Sequence, residues 1–292
     1  MELPLVVGVD GSESSLVAVD WAVDEATRLG LPLRLVYASL WERYEGAVAQ
    51  GSPEERVSER MMAGQIVGAA EERARRRNPE LKVSAEVVAE EAADALLGEG
   101  NNASALVTGS RGRGELKGLL LGSVGLAVAS RAPCPVYVVR GDKAGLTGIH
   151  ERILLGAGDP ATGAEAVRFA FREAEARQCP LDVVRAWRCP AHETTDHPRP
   201  ADEPERYHQE RASALLGVLL HDAMADHPGV RVRPDTVEGP ARKVLLRRSA
   251  AADLVIVGAR RREGHFGLQL GRVSHTLLHH APCPVAVVPQ RV

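Results

Sequence analysis

The chain has 292 residues, of which 45% are hydrophobic and 26% charged, with a formal net charge of −3. That balance is ordinary for a soluble globular protein and gives no global drive toward nucleic acid or anionic membranes. Aromatic residues make up only 3%, against an extended base-stacking platform, and four cysteines are too few for a disulfide framework.

The first apolar run, Leu3–Val9, is bounded by Asp10-Gly11-Ser12 and reads as a fully buried strand. It is too short for a signal peptide and lacks the basic flank, and no stretch approaches the ~20 apolar residues that span a bilayer. The expected compartment is the cytoplasm, with no membrane association. Residues 12–29 carry Leu16, Val19, Val23 and Ala26 at helical spacing, and Gly30 stands where a helix stops. Leu33–Ala38 is a second strand. The polar stretch 41–53 leads to a long charged helix ending in Arg73-Ala74-Arg75-Arg76-Arg77, where positive charge suits the helix dipole and solvation is expected. Strand 83–88, helix 90–100, strand 104–109, a glycine-rich stretch over 109–123, helix 123–130 and strand 135–139 follow.

The same order then returns: strand 152–156, helix 161–177, strand 181–187, helix 203–226, strand 230–237, helix 240–251, strand 254–258, a loop, helix 271–280 and strand 284–288. Ala132-Pro133-Cys134-Pro135-Val136-Tyr137-Val138-Val139 recurs as Ala281-Pro282-Cys283-Pro284-Val285-Ala286-Val287-Val288, with seven of eight residues identical at an offset of 149. A repeat this long means two copies of one domain, since solenoid units span only about 20–50 residues. The boundaries are set at 1–141 and 150–292, joined by a short linker over 141–150 without apolar periodicity. Strands alternating with helices, several apolar on both faces, predict an α/β fold with a parallel sheet covered on both sides in each copy.

In such open sheets ligands bind beyond the carboxyl ends of the strands, where strand order reverses. Gly109-Ser110-Arg111-Gly112-Arg113-Gly114, then Gly122-Ser123-Val124, leaves the fourth strand and enters a helix. Glycines let the backbone approach an anion closely, Ser123 is a good N-cap, and the free N–H groups of the helix attract phosphate. Arg111 and Arg113 add positive charge. The stretch is also compatible with a flexible loop, and Asp10 with a plain turn residue or helix cap. Cys134 and Cys283 read as small buried residues; Cys189-x2-His192-x4-His197 lacks a fourth ligand at standard spacing, so no metal site is expected. There is no P-loop, nucleophile elbow or metalloprotease helix, so the expectation is a non-enzyme whose ATP hydrolysis, if any, is slow and incidental.

The spacing Gly109-x2-Gly112-x9-Gly122-Ser123, with Gly8-Val9-Asp10-Gly11-Ser12 after the first strand, resembles the universal stress protein family (UspA-like), in a tandem two-domain form. The resemblance covers almost the whole chain. It implies, in each copy, a five-stranded parallel sheet of order 3-2-1-4-5, open-twisted and of the adenine nucleotide alpha hydrolase type. It also implies ATP, ADP or AMP in the N-terminal copy as a regulatory or structural ligand in the stress response, with magnesium only alongside the nucleotide. Carried across residue by residue, Gly109, Gly112, Gly122, Ser123 and Val124 would line the phosphates, and Ser110, Arg111, Arg113 and Gly114 of the same loop complete the candidate binding residues. Asp10 would sit by the ribose or adenine, and Gly8, Val9 and Ala38 would form the adenine wall. The family dimerises through its fifth strands; here that pairing is expected internally, as a pseudo-dimer, and a homodimer of the whole chain is compatible with it.

Copy two departs from this pattern. Gly158 replaces Asp10 with Asp159 adjacent, Arg261 stands opposite Gly112 within Arg260-Arg261-Arg262, and Gly271-Arg272 replaces Gly122-Ser123. Ordinary ATP binding is therefore not expected there, although arginines also bind anions through their side chains. Two alternatives remain open: a stress-response interaction protein that binds no nucleotide and acts on an unknown protein partner, and a slow ATPase or phosphotransferase.

Overall fold

Local signals set the elements before packing does. Ser12 caps the first helix by accepting the Ser15 amide at 3.2 Å, and Gly30 ends it in the left-handed conformation at φ 68°. Between them Val19, Val23 and Ala26 form the buried stripe. A computed structural model of the protein describes residues 2–39, 53–112, 121–161, 163–189, 203–261 and 268–290. Its described residues divide into two compact units, one up to Arg140 and the other from Gly141, with the short strand Leu268–Gln269 at the edge of the second.

In the first unit the order is β1 (Leu5–Gly8), α1 (Glu13–Leu29), β2 (Leu33–Ala38), α2 (Pro53–Arg77), β3 (Val83–Val88), α3 (Ala92–Glu99), β4 (Ala105–Gly109), α4 (Ser123–Arg131) and β5 (Val136–Val139). The strands pair in parallel as β3-β2-β1-β4-β5. Parallel pairing requires a crossover after each strand, and the crossovers place α1 with α2 and α3 with α4, on opposite faces. Leu5, Val6, Val7, Leu106 and Val107 are therefore sealed in the middle of the sheet. The arginines ending α2 are not simply solvated, as the sequence suggests. Arg73 forks onto Asp20 and Arg77 onto Asp24, both on α1, with N–O distances of 2.5–2.7 Å. The one-turn spacing of the two aspartates on α1 matches that of the two arginines on α2.

The second unit holds α5 (Lys143–Thr147), β6 (Ile153–Gly156), α6 (Ala164–Arg177), β7 (Leu181–Trp187), α7 (Glu203–Asp226), β8 (Val232–Glu238), α8 (Ala241–Arg248), β9 (Leu254–Arg261), β10 (Leu268–Gln269), α9 (Arg272–His280) and β11 (Val285–Gln290). Its main strands run parallel as β8-β7-β6-β9-β11, the same order as in the first unit. Three details depart from expectation. The connector is not a bare linker: Asp142 caps α5 through the Gly145 amide at 2.9 Å, and its own amide donates to Pro282 O at 3.0 Å. Helix α8 stops at Arg248 in a single 3-10 turn. And β9 does not give way to a loop after Gly258 but runs on to Arg261, because β11 also continues, to Gln290, and keeps pairing with it. Cys134 and Cys283 are buried and unbridged, and burial pushes the Cys134 thiol up to about 11.

Candidate functional site

In the first unit the chain turns sharply after β1. Asp10 Oδ1 accepts hydrogen bonds from the Ser12 amide at 2.9 Å and hydroxyl at 2.6 Å. Asp10 thus fills the turn role that an Asp-Gly-Ser sequence offers. Its other oxygen borders the glycine loop, since a Cβ on Gly112 would lie 2.8 Å from Asp10 Oδ2. One short carboxylate therefore ties the β1 turn and touches the loop after β4.

That loop is anchored to α1 by a residue the sequence reading passed over. A Cβ on Gly109 would stand 2.7 Å from both the carbonyl oxygen and the hydroxyl of Ser14, so only glycine lets β4 end this close to α1. Ser14 Oγ then accepts the Arg111 amide at 3.1 Å and lies 3.5 Å from Ser110 Oγ. Where the loop returns, the Gly122 amide donates to Ser110 O at 2.9 Å and closes its base. The Ser110 carbonyl makes that closure. Arg113 and Gly114, expected near the phosphates, lie outside the described residues.

The expectation for Ser123 is corrected in one respect. Gly122, at φ −72° and ψ 155°, is the N-cap of α4, and Ser123 is its first helical residue. No side chain caps this helix and no acidic residue sits in its first turn. Its first N–H groups and the positive end of its dipole are thus left without a side-chain cap of their own.

These elements enclose a cavity of about 440 Å³, within the range of small-molecule sites. Gly8, Val9, Val36, Ala38 and Leu96 give it an apolar wall; Gly109, Arg111, Gly112, Gly122, Ser123 and Val124 bring the loop and helix start; Asp10 lies in the lining as well. Val36 and Leu96 escaped the sequence reading because an apolar residue in a buried element carries no signal of its own. Thr108 also lines the cavity. It is only 4% exposed, and its Oγ1 has no hydrogen-bond partner among the described residues. A signal existed here: the matching position of the second copy is Val257, so a hydroxyl stands where packing alone asks for a methyl.

The second unit keeps the cleft but fills it. The matching cavity is about 180 Å³ and is lined by Gly156, Gly158, Asp159, Gly258, Arg260 and Gln290 among others. Sheet pairing explains the loss. In the first unit β4 and β5 part after Gly109 and Val139. In the second, Ala259 and Arg260 go on pairing with Pro289 and Gln290, so the backbone is committed to sheet where the first copy turns out. Gln290, 3% exposed, donates to Val288 O at 2.9 Å and occupies the space over Gly258, whose added Cβ would meet Gln290 Nε2 at 2.9 Å. Asp159, displaced by one position from the place of Asp10, accepts the Ala161 amide and stands 4.0 Å from Arg260. Arg262 lies outside the described residues. Among the described residues no cluster of His, Cys, Asp and Glu is arranged to hold a metal, and no helix is long and apolar enough to cross a membrane. His192 and His197 fall outside them.

Comparison with known proteins agrees with this architecture. The model of the universal stress protein family matches residues 3–140 and again 150–289. Universal stress protein Rv2005c of Mycobacterium tuberculosis is 33% identical over 98% of this chain and 97% of its own length. Universal stress protein Rv2623 of the same organism is 29% identical over 98% and 96%. Among solved structures, a universal stress protein from Archaeoglobus fulgidus covers 98% of both chains with a TM-score of 0.69 at 18% identity, which establishes a shared fold.

Proposed function

The chain belongs to the universal stress protein family, and from that premise we propose that its N-terminal unit binds ATP, or ADP or AMP, as a regulatory or structural ligand of a stress response. The observation that carries this reading is the conjunction at one cavity of an apolar wall with a closed glycine loop and an uncapped helix start. An adenine ring fits the wall of Val9, Val36, Ala38 and Leu96. Phosphates suit the approach permitted by Gly109, Gly112 and Gly122 and the N–H groups opening α4. Magnesium would accompany the nucleotide only. No side chain is assigned to turnover, and phosphate release above background, lost on replacement of a single acidic residue or histidine, would contradict the non-enzymatic reading. Four unbridged cysteines favour a reducing compartment, here the cytoplasm.

Bound nucleotide stabilises the native state by RT ln(1 + [L]/Kd), about 4 kcal/mol at a thousandfold excess over Kd. Asp10→Ala and Gly122→Val should each remove the thermal shift caused by ATP. An undiminished shift in both variants would refute the site. Mass spectrometry of the ligand released from freshly purified protein identifies the nucleotide. For the second unit the filled cleft favours the other reading, a surface acting without an adenine nucleotide. Pairing of the apolar fifth strands, β5 and β11, as an internal pseudo-dimer remains part of the proposal, supported by the hazard of leaving such edges uncovered. Strong amide-exchange protection along both strands is the expected result.

A further inference from the structure

Helix α7 carries two apolar stripes. Leu216, Leu219, Leu220 and Ala223 are buried on its inner face, which packs on β7, β8 and α6. The outer face of such a helix is expected to be polar and charged. Instead Tyr207, Ala214, Val218 and Ala225 are all exposed, Tyr207 by 57% and Val218 by 69%. At 3.6 residues per turn these four positions fall within about 40° of one another and form a straight seam about five turns long.

Charged groups border the seam in a set order. Arg211 and Asp222 lie on one side of it, Glu210 and His221 on the other. All four are exposed, and none has an ion-pair or hydrogen-bond partner among the described residues. The basic and acidic members of each side stand about 16 Å apart along the helix, too far to pair with each other. The first copy does not share the pattern. At an offset of 149, α2 has Met61 and Met62 at the places of Glu210 and Arg211, and Glu72 and Arg73 at those of His221 and Asp222, with Arg73 held by Asp20.

We infer that the outer face of α7 is the contact surface of a reversible homodimer, packed antiparallel on α7 of a second copy of the chain. In a twofold contact, residue i meets j and j meets i. A twofold axis midway between Ala214 and Val218 sets each of these against the other, and Tyr207 against Ala225, so that a large side chain always faces a small one. The same axis brings Arg211 level with Asp222 of the second copy on one side of the seam. It brings Glu210 level with His221 on the other side, and each pairing occurs twice. A parallel arrangement would stack Val218 on Val218 and leave Ala214 facing Ala214, with uneven spacing along the seam. The proposal does not rest on nucleotide binding in the first unit.

A single helix pair stands at the low end of interface sizes, so a Kd on the order of 10–100 µM is expected. Sedimentation equilibrium of the full-length chain across that range reads it directly. Val218→Glu sets a carboxylate in the seam and should weaken the dimer by about tenfold or more. Arg211→Asp opposes two like charges across the contact and should weaken it about fivefold. Adding Asp222→Arg to that variant restores both pairs with their signs exchanged, and the affinity should return to within about twofold of wild type. That recovery also shows that the loss in Arg211→Asp is not misfolding. Added salt should weaken the wild-type dimer. A dimer left intact by Val218→Glu would place the contact elsewhere. A charge exchange without recovery would fit the parallel arrangement, in which Arg211 lies beside Glu210 of the second copy. Either result, or a monomer at every concentration, would overturn the proposal.

Discussion

Replacing Thr108 with Val should stabilise the ligand-free protein. The two side chains are nearly isosteric, so packing around the 4%-exposed position is preserved while an unpartnered hydroxyl is removed. Burying a hydroxyl without a hydrogen bond costs about 1–3 kcal/mol in proteins, and the second copy already places Val257 at the matching position, 3% exposed. For a unit of this size a gain of about 1–2 kcal/mol raises Tm by roughly 3–6 °C. Differential scanning calorimetry reads the shift on the transition that ATP moves, and urea unfolding should show a higher midpoint with an unchanged slope. If bound nucleotide uses the hydroxyl, the ATP-dependent increment should shrink in the variant, because stabilisation appears only in the free state. A Thr108→Val protein that melts lower than wild type without ligand would show that the hydroxyl is already satisfied and that the reasoning fails.

The glycines of the loop should separate by role. Gly109→Ala places a Cβ 2.7 Å from Ser14 O, against backbone, and should cost about 1–3 kcal/mol by urea denaturation. Gly122→Ala has no contact closer than 3.7 Å and an ordinary φ, so its stability should stay within about 0.5 kcal/mol of wild type; equal losses would contradict the geometry. Burial raises the Cys134 thiol from 9.0 to about 11, so the unfolded chain loses this proton first as pH rises. The stabilisation is complete below pH 9.0, declines between there and about 11, and amounts to about 2–3 kcal/mol. Stability measured across that window should fall more steeply in wild type than in Cys134→Ala, and parallel slopes would exclude the effect. Removing both Arg73 and Arg77 should cost only about 1–2 kcal/mol, as half-exposed pairs contribute little, but should raise amide exchange in the last turn of α2.

Much of this architecture was legible because it depends on short-range chemistry. The spans of β2, β3, β7 and α7 follow from apolar runs and helical spacing, and Ser12 and Gly30 act as the caps their residue types suggest. The glycine spacing and Asp10 likewise pointed to the cavity they line. Other features required partners distant in sequence. Ser14 is one of several serines until Gly109 is pressed against it, 95 positions later. Val36 and Leu96 are ordinary core residues until β2 and α3 bring them to one wall. The α2 arginines look solvated until α1 supplies aspartates at the same spacing.

The second unit shows where local reading ends. Its substitutions announced, from sequence alone, that Arg261 and Arg272 replace Gly112 and Ser123, and hence that the glycine loop was altered. The manner of that change depends on a strand at the far end of the unit: β11 runs on to Gln290, keeps β9 in the sheet and inserts a side chain over Gly258. A strand's length is decided by whether its neighbour continues to offer hydrogen bonds, which the strand's own residues do not encode. The sequence by itself determined two copies of one α/β fold and the one carrying the glycine loop. Tertiary pairing decided which cleft stays open.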